Sequence, residues 1–510
     1  MKRISSLTTS VLLLGATASA QISFNNAGAL ATGQRPDSVA FGDFDGDGDQ
    51  DLAVTSGPQG GNLDAVEIWS NDGAGNFTQT AVILTGNNSG PSGLVATDLS
   101  GDGRPELAVA LHNQSTVLTL VNDGFGGFTT GGSAATGFDP RHLASGDVDG
   151  DGDTDVVSSN RDGNSVTVLL NNAGTLAAAG TTSVGVDLRG VVVADFDGNG
   201  LADVAVSSHD TRQVAVLLSG GGGALGAPSL LSVGANRRPE GLTAGDFDGN
   251  GTVDLCAATS LNDDSWATVF SNLGGSFGGA QHFAFLGVDP GPIVSADFDF
   301  DGDLDLAAAN QDSNSVSALE NNGAGGFGSP TTIAVGTAPE ALAAGDLDGD
   351  GDADLAVVNR DSNNVTLLEN PGGGAGWSSY CSTSANSVGT GALMNASGSV
   401  SYGANSFTLR VTGAPSTVGL FFYGSQQTQS PAGNGSLCVA GQTFRMNPAA
   451  PADGAGANSR LLDFTSGNPA TGGGTISPDS TWYFQYWYRD VAAGGALFNF
   501  SDGLQVNFTL

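Results

Sequence analysis

The chain has 510 residues, and its 52 acidic side chains against 15 basic ones give a formal net charge of −37. Its one lysine, Lys2, stands at the extreme N-terminus, which excludes Schiff-base, pyridoxal-phosphate and P-loop lysine chemistry for the remainder. Nucleic acid and anionic lipid would be repelled by so acidic a chain, and cations are its natural partners. Hydrophobic residues make up 39%, which excludes a wholly disordered chain.

The N-terminus predicts a secretory signal peptide over residues 1–20. Lys2 and Arg3 form a positive start, residues 11–14 are apolar, and small residues 18–20 precede Gln21. The apolar run is far shorter than the ~20 residues of a membrane-spanning helix. We therefore expect a secreted, extracellular or cell-surface protein with no membrane insertion.

One acidic nonapeptide recurs seven times after the leader, and its first copy reads DFDGDGDQD. Oxygen-bearing side chains occupy positions 1, 3, 5 and 9, whereas position 7 varies, as expected if it offers only its backbone carbonyl. Taken at positions 1, 3, 5, 7 and 9, the predicted metal-binding residues are Asp43, Asp45, Asp47, Asp49 and Asp51; Asp98, Ser100, Asp102, Arg104 and Glu106; Asp147, Asp149, Asp151, Asp153 and Asp155; Asp195, Asp197, Asn199, Leu201 and Asp203; Asp246, Asp248, Asn250, Thr252 and Asp254; Asp297, Asp299, Asp301, Asp303 and Asp305; and Asp346, Asp348, Asp350, Asp352 and Asp354.

Alternating oxygen ligands in a tight loop suit calcium, which takes about six to eight oxygens at roughly 2.3–2.6 Å. The interleaved glycines permit the positive φ angles that such a loop needs. The alternative is a solvated acidic turn, but carboxylates crowded in this way repel one another without a metal. The sequence therefore predicts up to seven Ca²⁺ ions. The second loop, with Ser100 and Glu106, is expected to bind most weakly.

Four short β-type runs accompany each loop, and the last repeat lacks its fourth run. Residues 24–33, followed by Pro36, match the spacing of residues 327–336, followed by Pro339. A strand borrowed from the N-terminus would close a ring and remove the exposed sheet edges. The predicted fold class is all-β, with a seven-bladed β-propeller over residues 21–376, in which residues 21–33 supply the closing strand.

These loops resemble those of the FG-GAP/VCBS repeat family, which also occurs in integrin α-chain heads. The resemblance extends over about residues 21–376. It implies a calcium loop between the first two strands of each blade. Members of the family include adhesion proteins, sugar-binding propellers and parts of polysaccharide-degrading enzymes.

Residues 377–510 differ in composition, since all six tyrosines lie there. Strand-like runs at residues 406–412, 418–423, 482–488 and 504–510 predict a small β-sandwich-like module. One face of the third run carries Trp482, Phe484, Tyr486 and Tyr488, as in a sugar-stacking platform, although core packing explains it more simply. Cys381 and Cys438 are candidates for a disulfide, and Cys256 for a small buried hydrophobe.

Charged residues also recur where the inner strands begin. Arg141 and His142 stand where other repeats carry Asp37, Arg189, Glu240 and Glu340, so a charged ring is expected at one mouth of the channel. His112 and His209 occupy the turn after the second strand. No catalytic or organic-cofactor residues are assigned. The sequence predicts a calcium-binding, non-enzymatic recognition or adhesion module for an extracellular glycan or protein. The alternative is a polysaccharide lyase or glycoside hydrolase with its site at the channel mouth.

Overall fold

The computed structural model describes residues 22–59, 63–261, 264–284, 287–299 and 301–370, and strand segments within residues 377–507. All regular secondary structure in these ranges is β-strand. In the same ranges, no helix of membrane-spanning length and apolarity occurs. The predicted leader, residues 1–20, and Cys381 lie outside the described residues, so both the leader and the disulfide stay predictions.

Residues 25–369 form seven antiparallel sheets of four strands each. In chain order, sheet 1 contains β2 (Ser38–Gly42), β3 (Asp51–Gln59), β4 (Leu63–Asn71) and β5 (Phe77–Asn87); sheet 2 contains β6 (Pro91–Thr97), β7 (Glu106–Leu111), β8 (Thr116–Asn122) and β9 (Phe128–Ala135); sheet 3 contains β10 (Pro140–Gly146), β11 (Asp155–Asn160), β12 (Ser165–Asn172) and β13 (Thr175–Ser183); sheet 4 contains β14 (Leu188–Ala194), β15 (Asp203–Ser208), β16 (Gln213–Leu217) and β17 (Ser229–Ser232); sheet 5 contains β18 (Arg238–Gly245), β19 (Asp254–Leu261), β20 (Asp264–Phe270) and β21 (Gln281–Ala284); sheet 6 contains β22 (Pro290–Ala296), β23 (Asp305–Asn310), β24 (Ser315–Leu319) and β25 (Thr331–Ala334); and sheet 7 contains β26 (Pro339–Gly345), β27 (Asp354–Asn359), β28 (Asn364–Glu369) and β1 (Asn25–Ala31).

Burial falls from the second strand of each sheet to its outer strand. Strands β11, β15, β23 and β27 are buried at every position, whereas the outer strand β9 is mostly exposed. A strand covered on both faces by neighbouring sheets needs apolar side chains on both sides, which explains its continuous Val/Ala/Leu runs. Cys256 lies in one of these inter-sheet cores, and burial raises the pKa of its thiol.

The seven sheets close into a ring around a channel. Each inner strand, from β2 through β26, contacts the inner strand of the next sheet, and β26 contacts β2 in turn. In sheet 7 the outer position is taken by β1, which pairs antiparallel with β28 from Asn25↔Glu369 to Ala31↔Asn364. The predicted all-β fold class, a seven-bladed propeller with a further C-terminal β region, is confirmed.

The C-terminal strands form two antiparallel sheets. Their bounds are β29 (Trp377–Ser379), β32 (Val418–Ala432), β33 (Gly435–Arg445), β34 (Ala450–Pro451), β36 (Thr481–Arg489) and β37 (Phe498–Asn507) in one sheet, and β30 (Leu393–Ser397), β31 (Thr408–Thr412) and β35 (Asn458–Leu461) in the other. Phe484, Tyr486 and Tyr488 are fully buried, and Phe484 stacks on Tyr423 at 5.5 Å between ring centroids. The burial of these three rings supports core packing, the simpler explanation of this face, and Trp482 beside them is half-buried.

Candidate metal loops and the channel mouth

Each acidic loop connects an inner strand to the second strand of its sheet. Position 1 organises the loop: the carboxylate of Asp43 accepts hydrogen bonds from the N–H groups of Gly46, at 2.7 Å, and Gly48, at 3.2 Å. Asp98 holds Gly101 and Gly103 of the second loop in the same way. Gly46 and Gly48 have φ angles of 79° and 99°, a region that favours glycine.

The loop geometry brings positions 1, 3 and 9 together. In at least four loops, a carboxylate oxygen from each of these positions lies within 4.8 Å of the other two. The four groups are Asp43, Asp45 and Asp51; Asp147, Asp149 and Asp155; Asp195, Asp197 and Asp203; and Asp246, Asp248 and Asp254. Positions 5 and 7 are not members of these groups. The predicted ligand set is thus brought together in part.

Crowding and burial leave these carboxyl groups short of positive partners. Burial raises the pKa of Asp51 to about 6 and that of Asp305 to about 7, and neighbouring loop carboxylates add to both shifts. Among the described residues, the buried Oδ2 of Asp299 and Oδ1 of Asp352 have no hydrogen-bond partner. A cluster of hard oxygen donors with unused lone pairs fits a hard divalent cation.

Position 9 has a further role that the sequence did not reveal. Asp51 accepts a hydrogen bond from the N–H of Phe44 at 2.8 Å and another from the N–H of Asn71 at 2.9 Å. The side chain of Asn71 in turn donates to the carbonyl of Leu347, which belongs to the acidic loop of sheet 7, at 2.8 Å. A carboxylate of one loop is thereby connected to the loop of the preceding sheet.

The same link recurs at five of the six other junctions between neighbouring sheets. We call the residues that make it the inter-sheet clamps, and each donates a side-chain hydrogen bond to the position-2 carbonyl of the preceding loop. The pairs are Asn71 to Leu347, Asn171 to Leu99, Ser219 to Val148, Asn272 to Phe196, Asn321 to Phe247, and Asn370 to Phe298. At the junction of sheets 1 and 2, the backbone N–H of Gly126 donates to the carbonyl of Phe44 at 3.0 Å instead, and Asn122 donates to the carbonyl of Pro105 in its own loop at 3.2 Å. The acidic loops and the sheet contacts therefore form one connected system around the ring.

The second loop differs at position 9. One oxygen of Glu106, Oε2, accepts the N–H groups of both Leu99 and Ser100 at 2.9 Å, and Oε1 is buried with no hydrogen-bond partner in the described part of the chain. The longer glutamate side chain thus bonds its own loop twice. That this loop binds metal most weakly stays a prediction.

The channel mouth lies at the opposite ends of the inner strands from the acidic loops. A cavity of about 310 Å³ is lined by residues of all seven inner strands. In sheet order, the outermost lining positions are Asp37, Ser92, Arg141, Arg189, Glu240, Gly291 and Glu340. The structure therefore brings the predicted charged ring together in one cavity.

Ion pairs fix most of these side chains. Arg141 Nε lies 2.8 Å from Asp139 Oδ1, and Arg189 Nη2 lies 3.1 Å from Asp187 Oδ2. Arg161, from the turn after β11, lies 3.4 Å from Asp187. Asp139 and Asp187 have φ angles of 60° and 52° just before their inner strands, a recurrent Asp-x-Arg pattern that sequence reasoning missed.

His209 follows the second strand of sheet 4, as the sequence predicted, and it also joins the charged mouth. Its Nδ1 lies 3.3 Å from Asp187 and 3.0 Å from Asp210, and its Nε2 lies 3.1 Å from Glu240. The hydrogen bond with Glu240 is the main cause that raises the pKa of His209. This histidine therefore lies in the predicted turn and, in addition, contacts three carboxylates at the channel mouth.

His142 stands one position deeper than the ring. The equivalent positions of the other inner strands hold small side chains or none: Ser38, Gly93, Gly190, Gly241, Pro292 and Ala341. A Cβ on Gly93 would lie 2.6 Å from the carbonyl oxygen of Arg141, so neighbouring strands approach too closely for a larger residue there. His142 is open to the cavity, and the enclosing walls and nearby arginines lower its pKa to about 4.

Comparison with known proteins identifies the repeats. The chain matches an FG-GAP-like repeat at residues 43–109, 98–158, 147–206, 195–257 and 297–357, and an FG-GAP repeat at residues 338–377. It belongs to the FG-GAP-like repeat family. No curated protein matches the chain.

Similar solved structures include three at low sequence identity. A protein from Lactobacillus plantarum is 14% identical, with a TM-score of 0.49. The matched region covers 62% of the present chain and 89% of the Lactobacillus protein. A chain of the BBS1N–ARL6DN complex is 13% identical with a TM-score of 0.49, covering 68% and 97%. A periplasmic gluconolactonase from Pseudomonas aeruginosa is 15% identical with a TM-score of 0.45, covering 59% and 86%.

Proposed function

We propose that this chain is an exported, calcium-loaded propeller that binds an extracellular glycan or protein at its channel mouth without chemically altering it. The observation that carries the proposal is the mouth itself. Seven strands of a closed ring line a concave cavity of about 310 Å³ whose charged side chains are held by ion pairs. A preformed concave site with a few fixed polar groups is the usual form of a ligand pocket.

Calcium is proposed as the structural ion of the acidic loops. Positions 1, 3 and 9 would hold it through carboxylate oxygens, as in the group Asp43, Asp45 and Asp51. When bound, the ion supplies the positive charge that the crowded carboxylates lack. The inter-sheet clamps then connect six of the seven loops to the next sheet, so metal binding supports the ring that shapes the mouth.

The test is a binding screen with the full calcium-loaded chain against polysaccharides and extracellular proteins, repeated in EDTA. Reducing-end release is measured on every polysaccharide that binds. We expect saturable binding that EDTA abolishes, with no release of sugar ends. Turnover that disappears in Arg141→Ala or His142→Ala would instead establish a polysaccharide lyase or hydrolase. If the chain binds neither a polysaccharide nor a protein, a structural role is the explanation that is left.

A further inference from the structure

We propose that the channel mouth takes one carboxylate-bearing sugar of the uronate type, with its carboxylate on Arg161 and Arg189 and its hydroxyl groups on His142 and the facing acidic side chains. This inference rests on the proposed function and specifies its ligand. It depends on the distribution of charge, on unused hydrogen-bond donors and on the position of one histidine.

Arginine side chains are grouped on one side of the mouth, where each also lies within 4 Å of at least one carboxylate. Arg141, Arg161 and Arg189 come from adjacent sheets 3 and 4, whereas Glu340 and Asp37 come from sheets 7 and 1, where Arg360 lies 3.5 Å from Glu340. In a chain with a net charge of −37, these three guanidinium groups, whose charges all act on His142, are the cationic donors that an anion would meet in the cavity. A ligand with one anionic end and a neutral hydrogen-bonding body matches this division.

Two of the three guanidinium groups keep donors for a ligand. Arg141 is occupied by Asp139 at 2.8 Å and faces Asp37 at 4.0 Å. The side chain of Arg161 donates no hydrogen bond to any described residue, and its ion pairs are 3.4 to 3.7 Å long. Arg189 donates one, to Asp187 at 3.1 Å, and its Nε lies 3.7 Å from Glu240. Each guanidinium has five N–H donors arranged to grip a carboxylate.

His142 supplies hydrogen bonding of the kind that a sugar needs. It is the one large side chain at its level of the channel, where the other six inner strands carry Ser, Gly, Pro or Ala. No described residue hydrogen-bonds its ring, and the ring is open to the cavity. A neutral imidazole donates through one nitrogen and accepts through the other, as a sugar hydroxyl does.

The acidic side of the mouth selects among anions. The carboxylates of Glu340 and Asp37 offer acceptors for hydroxyl groups and repel a second negative charge, whereas Glu240 lies beside Arg189, at 3.7 Å, and His209, at 3.1 Å. The cavity, at about 310 Å³, lies at the small end of ligand pockets, which span roughly 300–1,000 Å³. One sugar unit is therefore favoured over an acidic peptide.

The experiment is isothermal titration of the full calcium-loaded chain with glucuronate and galacturonate, and in parallel with glucose, acetate and an aspartate-rich peptide. The variants are Arg161→Gln, Arg189→Gln and His142→Ala, the last of which introduces the residue found at this position in sheet 7. Arg238→Gln is the matched control, because Arg238 is exposed and lies outside the cavity lining. Melting temperatures verify that each variant is folded.

We expect a uronate to bind at least tenfold more tightly than glucose or acetate. Arg161→Gln and Arg189→Gln should each weaken binding roughly tenfold or more, as expected for a lost charge-assisted hydrogen bond. His142→Ala should weaken it several-fold, and Arg238→Gln should leave it unchanged. If Arg189→Gln is unstable, Arg161→Gln still decides, since its side chain is only loosely paired.

Three results would overturn the inference and leave glycan or protein recognition intact: glucose equal to glucuronate, acetate equal to glucuronate, or tight binding of the peptide in place of any sugar. Uronate binding that is unchanged in all three mouth variants would overturn it as well. Failure of every probe together with a blank binding screen would remove the proposed function itself.

Discussion

Replacing Asn171 by alanine should destabilise the propeller although this residue lies far from the channel mouth. Asn171 is only 4% exposed. Its side-chain amide donates to the carbonyl of Leu99 in sheet 2 at 2.8 Å, and its Oδ1 accepts from the N–H of Gly174 at 2.9 Å. Alanine removes both bonds and leaves the two backbone groups without these partners.

The magnitude follows from these two contacts. Each lost buried hydrogen bond costs roughly 1–2 kcal/mol, so the free energy of unfolding should fall by about 2–4 kcal/mol. For a unit of about 350 residues, this corresponds to a melting temperature lower by roughly 3–5 °C. Calorimetry in saturating calcium measures the shift.

Asn172→Ala is the matched control. Asn172 is the next residue of β12, its side chain is exposed, and it makes no side-chain hydrogen bond to a described residue. The melting temperature of Asn172→Ala should lie within about a degree of the parent value, because substitutions of exposed residues usually change stability little. If Asn171→Ala and Asn172→Ala have the same melting temperature, the clamps do not stabilise the contacts between sheets and the reasoning is refuted.

Chelation with EDTA should lower the melting temperature reversibly, with recovery on adding calcium; a melting curve indifferent to EDTA would contradict metal in the loops. The pKa of His209 is raised, chiefly by its hydrogen bond with Glu240. Its stabilising contribution is therefore complete below the unfolded pKa of about 6.5 and is lost as pH rises through the folded value. Urea titrations from pH 6 to 9 should show this loss in the parent and not in His209→Gln; parallel curves would disprove it. Gly93→Ala should destabilise, because its Cβ would meet the Arg141 carbonyl at 2.6 Å, whereas Gly132→Ala has open space and should be tolerated. Equal melting of these two variants would show that the inner strands adjust without cost.

The periodic acidic loops made the ring predictable from sequence. Their near-constant spacing gave the sheet count, and the equivalence of strand starts gave the charged positions Asp37, Arg189, Glu240 and Glu340. These features repeat locally, so no long-range knowledge was needed. The same reasoning placed His209 in its turn but missed its ion pairs, because those depend on how sheets 4 and 5 face each other.

The inter-sheet clamps could not be predicted from the sequence, because they too depend on how the sheets meet. Asn71 reads as an ordinary turn residue, and its partner Leu347 is 276 residues away. Only closure of the ring brings the two together. In the C-terminal region, β32 runs from Val418 to Ala432, far beyond the predicted residues 418–423. Its second half is rich in Gln, Ser and Thr and is held by backbone pairing with β33. A prediction based on the spacing of apolar residues does not detect such a polar strand.

The origin of the outer strand of sheet 7 has a consequence for the order of folding. Since Asn25 pairs with Glu369, sealing the ring joins chain segments about 340 residues apart, at an entropic cost of roughly 5 kcal/mol. Strand β1 must therefore wait until sheet 7 has been synthesised before it finds its partner. Until that moment β28 presents a bare edge, open to pairing with another molecule, so the half-finished toroid is the species most exposed to aggregation.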